Sequence, residues 1–101
     1  MTVGRKVSIH LYDAVNKLTD RLLDGIKDSH DSMRDAVAGY IQEFRKLMAG
    51  SHHRPTCEDE EAFQLEVAIA KDADEGKLTR EEALSKLRII TTHHLINFGR
   101  S

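Results

Sequence analysis

Histidine and cysteine are the residue types in this chain that most often bind zinc and other transition-metal ions. His52, His53 and Cys57 lie close together in the sequence, and His93 and His94 form a second pair. Adjacent histidines on a helix point about 100° apart, so such a pair does not readily bind one ion. The Cys-x2-Cys and His-x3-His spacings that are typical of zinc sites do not occur. We therefore predict no metal site and no cofactor.

Two other patterns could carry chemistry. Around Gly76 the sequence is similar to part of a calcium loop, but the alignment places Lys71 at the first ligand position, where a cation repels calcium. A helix that ends at Gly76, followed by a capping box of Thr79 and Glu82, explains the same residues. Cys57 with a nearby histidine could form a nucleophile and base, but the pair lies in a connector. We predict no catalytic residues and no enzymatic activity.

The polar residues near the N-terminus point to nucleic acid. Lys6, Ser8 and His10 occur at every second position, which predicts a half-buried strand over residues 5–11. The apolar residues that alternate with them are Val7, Ile9 and Leu11. Since no second strand is predicted, the strand would pair with its copy in another chain. The resulting two-stranded ribbon would fit the major groove of DNA.

Helices are predicted for the rest of the chain, in which 32% of the residues are charged. Apolar residues at spacings of three and four predict helices over about 12–26 and 33–48. In the second half, Thr56 is predicted to begin a helix with Phe63, Val67 and Ala70 on one face, and Thr79 to begin the last helix. The predicted fold is mainly α with one N-terminal strand. Its regions are residues 1–49, a connector at 50–55, and an acidic helical hairpin at 56–101.

Residues 4 to about 45 carry a family resemblance. It rests on the strand residues, on the apolar face of the first helix with Gly25 and Ile26 after it, and on the run from Arg34 to Ile41. These features resemble the ribbon-helix-helix DNA-binding proteins, an Arc- and MetJ-like family. The resemblance implies a homodimeric transcriptional repressor that binds double-stranded operator DNA. It also implies an antitoxin-type role, in which residues 56–98 bind a toxin-like protein.

The resemblance assigns roles to particular residues. The base-reading side chains would be Lys6, Ser8 and His10. The phosphate contacts would come from Arg5, Ser29 and Ser32. The dimer core would contain Val7, Ile9, Leu11, Val37, Tyr40, Ile41 and Phe44.

Charge and composition leave a second interpretation open. The net charge is −2, but residues 1–49 carry +1 and residues 50–101 carry −3. The acidic half favours a protein partner over DNA, so the alternative is an all-helical interaction or inhibitor protein of phage or plasmid origin that does not bind DNA. With one cysteine, no signal-peptide pattern and no apolar stretch of about 18 residues, we expect a cytoplasmic protein with no membrane association.

Overall fold

A computed structural model describes residues 7–28 and 32–99 of the chain. They form the helices α1 (Ile9–Asp28), α2 (Met33–Gly50), α3 (Cys57–Asp74) and α4 (Arg80–Gly99). The helices pack in cyclic order: α1 beside α2, α2 beside α3, α3 beside α4, and α4 beside α1. Short connections between neighbours make consecutive helices antiparallel. The described residues are therefore a four-helix bundle, and no helix among them is long and apolar enough to span a bilayer.

The predicted N-terminal strand is wrong. Val7 and Ser8 precede α1, Ile9 to Leu11 form its first turn, and the described residues contain no strand. The Ser8 hydroxyl accepts a hydrogen bond from the Leu11 amide at 3.1 Å, which caps the helix. Leu11 is also four residues before Val15, so the helical period reaches back into the alternating segment. A capped helix pairs its own backbone groups, whereas a lone strand leaves them unpaired. The ribbon-helix-helix fold is therefore overturned.

Several residues predicted for a dimer core are buried within one chain. Leu11, Val37, Tyr40 and Phe44 belong to the core of the bundle, and Val7 and Ile41 are half-buried at its edge. Ile9 is 78% exposed. Four of the seven residues are therefore covered by helices of their own chain.

The predicted helix starts at α3 and α4 are confirmed. The Thr56 hydroxyl accepts from the Asp59 amide, and the Asp59 carboxylate accepts from the Thr56 amide. Thr79 and Glu82 make the same reciprocal pair at the start of α4. Capping boxes satisfy amides that have no acceptor within the helix, which fixes where each helix begins.

The buried face of α3 differs from the predicted one. Phe63 and Ala70 are buried as expected, but Val67 is 44% exposed and Glu66 is completely buried. Packing between α2 and α4 turns α3 so that residues 59, 63, 66 and 70 point inward. This rotation places the Glu66 carboxyl group in the core and leaves the Val67 side chain partly exposed outside.

An aromatic cluster joins three of the helices at one end of the bundle. The Phe44 ring of α2 lies 5.1 Å from Phe63 of α3 and 5.4 Å from Phe98 of α4, both in edge-to-face geometry. It also stacks on the His94 ring at 5.2 Å. Such pairs add to the free energy gained from apolar burial. The cluster thus links the two halves of the chain into one core.

Candidate functional site

A buried Asp–His pair lies beside the aromatic cluster. The Asp59 Oδ1 and His94 Nε2 atoms are 2.6 Å apart, and the two side chains are 1% and 4% exposed. The second Asp59 oxygen accepts from the Thr56 amide. The rings of Phe44 and Phe63 pack against His94, which also lines the groove between α3 and α4. The interaction joins the first turn of α3 to the last turns of α4.

Glu66 is a second buried carboxyl group. Neither of its oxygens has a hydrogen-bond partner among the described residues. Burial raises its pKa to about 8, so the group is mostly protonated at pH 7. Burial also raises the pKa of Tyr40, and the charge of Glu66 acts in the same direction, while the hydrogen bond between Tyr40 and Thr19 opposes them. Glu66 lines none of the four surface grooves between neighbouring helices, whereas Tyr40 lines the groove between α1 and α2 and His94 lines the groove between α3 and α4.

The surface offers a groove between α2 and α3, which we call the α2–α3 groove. Its volume is about 680 Å³, against about 330 to 410 Å³ for the grooves between the other neighbouring helices. The buried Phe63 ring forms its floor, Ile41 and Val67 form its walls, and the small side chains Ala38 and Ala68 keep it open. The rotation of α3 is what exposes Val67 here. The α2–α3 groove is therefore a shallow, mostly apolar surface between two packed helices.

Charged residues mark the two ends of this groove. At one end, Arg45 donates two hydrogen bonds to the Glu60 carboxylate, at 2.6 and 3.0 Å, and this pairing lowers the pKa of Glu60. The Arg45 guanidinium also lies 5.1 Å from the centre of the Phe63 ring, a cation–π distance. At the other end, Lys71 is exposed and has no ion-pair partner within the described residues. One end is thus internally neutralised and the other carries a free positive charge.

Among the residues predicted to contact DNA, the three that the structure describes do not converge. Ser8 caps α1, and His10 is exposed in its first turn. Ser32 caps α2 at the opposite end of the bundle, about 30 Å away along α1. Arg5, Lys6 and Ser29 lie outside the described residues.

The predicted phosphate site at the start of α2 is already occupied by a carboxylate. The Asp74 oxygens accept from the Met33 and Arg34 amides at 3.0 and 3.1 Å, and from the Ser32 hydroxyl at 2.7 Å. A helix N-terminus binds anions through such amides. Here the anion comes from the last residue of α3, so the same amides have no free place for a phosphate.

No family model, curated protein or solved structure matches this chain. Its function must therefore be inferred from the chemistry of the described residues. Glu66 and the Asp59–His94 pair are buried, and the surface carries apolar grooves and exposed charges.

The sequence did not predict the α2–α3 groove, because it did not predict the rotation of α3 that exposes Val67. The pattern of α3 contains two possible apolar stripes, which share Phe63 and Ala70 and differ in whether Val67 or Glu66 completes them. The sequence favours the stripe that contains Val67, because glutamate is seldom buried. Ile69 could have indicated the correct stripe, because this apolar residue is buried on the same side of α3 as Glu66.

Proposed function

We propose that this protein is a non-enzymatic, all-helical interaction protein that binds an amphipathic helix of a partner protein in the α2–α3 groove. The observation that carries the proposal is the exposed apolar groove itself, with Ile41 and Val67 as its walls. Amphipathic helices bind such grooves by inserting side chains spaced three, four and seven residues apart. The ribbon-based interpretation of DNA binding has lost its structural basis, because the described part of the ribbon segment, residues 7–11, leads into α1 and forms its first turn.

The shape of the groove suits a helix. Ala38 and Ala68 have short side chains, which allow the backbone of a bound helix to come close. The Arg45–Glu60 pair holds one end in a fixed geometry, since a bidentate contact restricts both side chains. A preformed site binds with a smaller loss of conformational entropy than a mobile one.

The free charge at the other end indicates the chemistry of the partner. Lys71 stands beside the apolar surface with no ion-pair partner in the described ranges. A carboxylate at one end of the bound helix would pair with it and set the direction of binding. We therefore expect the partner helix to be apolar on one face and acidic near one end.

A fluorescence-anisotropy titration with a model peptide tests this function. The probe is a fluorescein-labelled amphipathic peptide of about 18 residues, long enough to form a helix, with leucines on one face and glutamates at one end. We expect saturable binding, and Val67→Asp or Ile41→Asp should weaken it by at least about tenfold because each puts a charge in the apolar contact.

The matched controls use the same type of change elsewhere. Ile89→Asp replaces an apolar residue that is 70% exposed and lies away from the groove, so binding should be unchanged. Lys71→Glu should weaken the binding of the acidic peptide and strengthen the binding of a peptide that has lysines in place of the glutamates. Absence of saturable binding, or equal affinity for the wild type and both groove variants, would contradict the proposed function.

A further inference from the structure

The groove between α3 and α4, which we call the α3–α4 groove, has a polar half and an apolar half. Its volume is about 330 Å³. The polar half, near the start of α3 and the end of α4, is lined by Glu58, Glu61, His93, His94 and Asn97. The apolar half is lined by Leu65, Ile89 and Ile90. The α3–α4 groove therefore suits a molecule that has one polar and one apolar end.

A buried histidine presents a nitrogen atom to the polar half of the α3–α4 groove. The His94 side chain is 4% exposed, and its accessible part lines this groove. Its Nε2 atom contacts the Asp59 carboxylate, whereas its Nδ1 atom has no hydrogen-bond partner among the described residues. Nδ1 is also not one of the unpartnered atoms that are closed off from solvent. This nitrogen of an otherwise buried side chain is therefore available to a ligand.

The contact with Asp59 determines which nitrogen of the His94 ring donates. A carboxylate accepts hydrogen bonds and does not donate them, so Nε2 is the donor in the 2.6 Å contact with Asp59. In a neutral ring the other nitrogen, Nδ1, then accepts. The Thr56 amide also donates to Asp59, and the Phe44 ring stacks on His94, so the imidazole is held in one orientation. The polar half thus contains a fixed hydrogen-bond acceptor.

Two carboxylates line the same half of the groove as this acceptor. Glu58 and Glu61 are three residues apart on α3, so they project from one face of the helix. Both are exposed, and neither has an ion-pair partner within the described ranges. The second histidine of the lining, His93, accepts a hydrogen bond from the Asn97 amide group at 3.2 Å. The unused polar groups of this half are therefore acceptors with negative charge beside them.

The charges beyond the apolar half do not cancel those of Glu58 and Glu61. Among the described residues, no lysine or arginine lines the α3–α4 groove. Lys86 lies one turn before Ile90 on α4, outside the lining, and it interacts electrostatically with Glu82. Asp72 follows Leu65 by seven residues on α3 and adds negative charge at that end. The groove is therefore surrounded by an excess of negative charge, which favours a cationic ligand.

We propose that the α3–α4 groove binds a small primary ammonium ion that carries a short hydrocarbon chain. A primary ammonium group has three N–H donors, and the acceptors for them are the His94 Nδ1 atom and the carboxylates of Glu58 and Glu61. The hydrocarbon chain lies along Leu65 and Ile89 in the apolar half. This site goes beyond the proposed function and is separate from the α2–α3 groove, so each can fail without the other.

Other classes of ligand do not match these side chains. An anion is repelled by the two carboxylates. A metal ion needs several ligands around one point, and the described residues contain no group of three or more His, Cys, Asp or Glu side chains that could hold one. A volume of about 330 Å³ is at the lower end of the range of small-molecule sites, about 300–1,000 Å³. The occupant is therefore a small organic cation.

An NMR titration of the nitrogen-15-labelled full chain with n-hexylammonium chloride, at pH 7 and constant ionic strength, tests the site. We expect saturable shifts at the groove residues with a Kd of about 1–10 mM. The resonance of the His94 Nδ1 atom should move, because an N–H donor of the ligand reaches it. n-Hexanol has the same chain without the charge, and it should bind about tenfold more weakly.

Substitution of the two carboxylates tests their part in the site. Glu58→Gln and Glu61→Gln should each weaken the binding of n-hexylammonium about threefold, and the double variant about tenfold. Glu81→Gln is the matched control, since it removes an exposed carboxylate of α4 that does not line the groove, and it should leave the affinity unchanged. Circular dichroism confirms that each variant keeps its helices. Absence of saturable binding, equal affinities for the amine and the alcohol, an unchanged double variant, or an unmoved His94 Nδ1 resonance at saturation would overturn the proposal.

Discussion

Glu66 is the single residue whose chemistry departs furthest from its surroundings. A completely buried carboxyl group without a hydrogen-bond partner among the described residues costs free energy in either protonation state, and far more when ionised. The raised pKa shows that the fold keeps it neutral by binding a proton. Protonation of Glu66 therefore accompanies folding at neutral pH.

Stability should fall as the pH rises, because of this residue. In the unfolded chain the Glu66 pKa is near 4.5, and in the bundle it is about 8. Between these values the folded state holds one proton that the unfolded state lacks, so the free energy of unfolding decreases by up to about 1.4 kcal/mol per pH unit. Glu66→Gln removes this titration.

Urea unfolding at several pH values measures the effect. We expect the wild type and Glu66→Gln to have similar stability at pH 5, and the variant to be more stable by about 2–5 kcal/mol at pH 8.5. Glu61→Gln, on the exposed side of the same helix, serves as the control and should leave the pH dependence unchanged. Parallel pH profiles for the wild type and Glu66→Gln would show that Glu66 is ionised inside the fold.

At the scale of the helices, the ends are held by residues from other helices. Asp74 of α3 accepts hydrogen bonds from the first amides of α2. At the same end of the bundle, the Arg80 guanidinium of α4 donates to the Ile26 carbonyl, near the end of α1. Helix ends carry backbone groups that have no partner within the helix. These contacts therefore fix the helices relative to one another as well as terminating them.

Asp74→Ala should destabilise the bundle by about 0.5–2 kcal/mol, the usual cost of losing a side-chain cap. Partial burial raises the pKa of Asp74, but the hydrogen bonds from Ser32, Arg34 and Met33 outweigh it and lower the pKa below 3.8. The ionised Asp74 carboxylate therefore stabilises the bundle above about pH 4, and this stabilisation is lost as the pH falls through its lowered pKa. Thermal unfolding at pH 7 and pH 2.5 measures the difference.

The control for this effect is Asp72→Ala, two residues earlier on the same helix. It removes the same charge without removing a hydrogen bond to α2 and should change stability by less than about 0.5 kcal/mol. If Asp74→Ala and Asp72→Ala lose the same stability, the loss results from the change in net charge and not from the missing cap of α2.

For the whole molecule, the two sequence halves are mutually dependent. α3 and α4 bury Phe63 and Phe98 against Phe44 of α2, and α1 packs beside α4. A hairpin of two helices cannot cover both of its apolar faces by itself. The segment that was predicted as a separate hairpin, residues 56–101, therefore lacks half of its core when it is isolated.

A fragment of residues 56–101 should consequently show low helicity and no cooperative thermal transition by circular dichroism. Mixing it with a fragment of residues 1–55 should restore both, since the missing core surface is then supplied in trans. The full chain is the control for the folded signal. A cooperative transition in the isolated fragment would mean that the hairpin is an independent domain.

Local patterns in the sequence determined most of the helices and their starting points. The sequence predicted elements that are present from the apolar stripe between Met33 and Met48, from Thr56 as a helix N-cap, from the Thr79 capping box and from the glycine after α3. These signals are local, because a capping hydrogen bond or a helical stripe involves residues a few positions apart. The first turn of α1 was predicted wrongly because Val7, Ile9 and Leu11 alternate with polar residues, while Val7 and Leu11, four residues apart, also fit a helical period.

Tertiary packing alone decided which faces of the helices are buried and which remain open. Whether Glu66 or Val67 turns inward depends on what α2 and α4 present to α3, which the α3 sequence does not contain. The capping of α2 by Asp74 likewise joins residues about 40 positions apart. Long-range contacts of this kind depend on the arrangement of all four helices, and they place the α2–α3 groove on the surface.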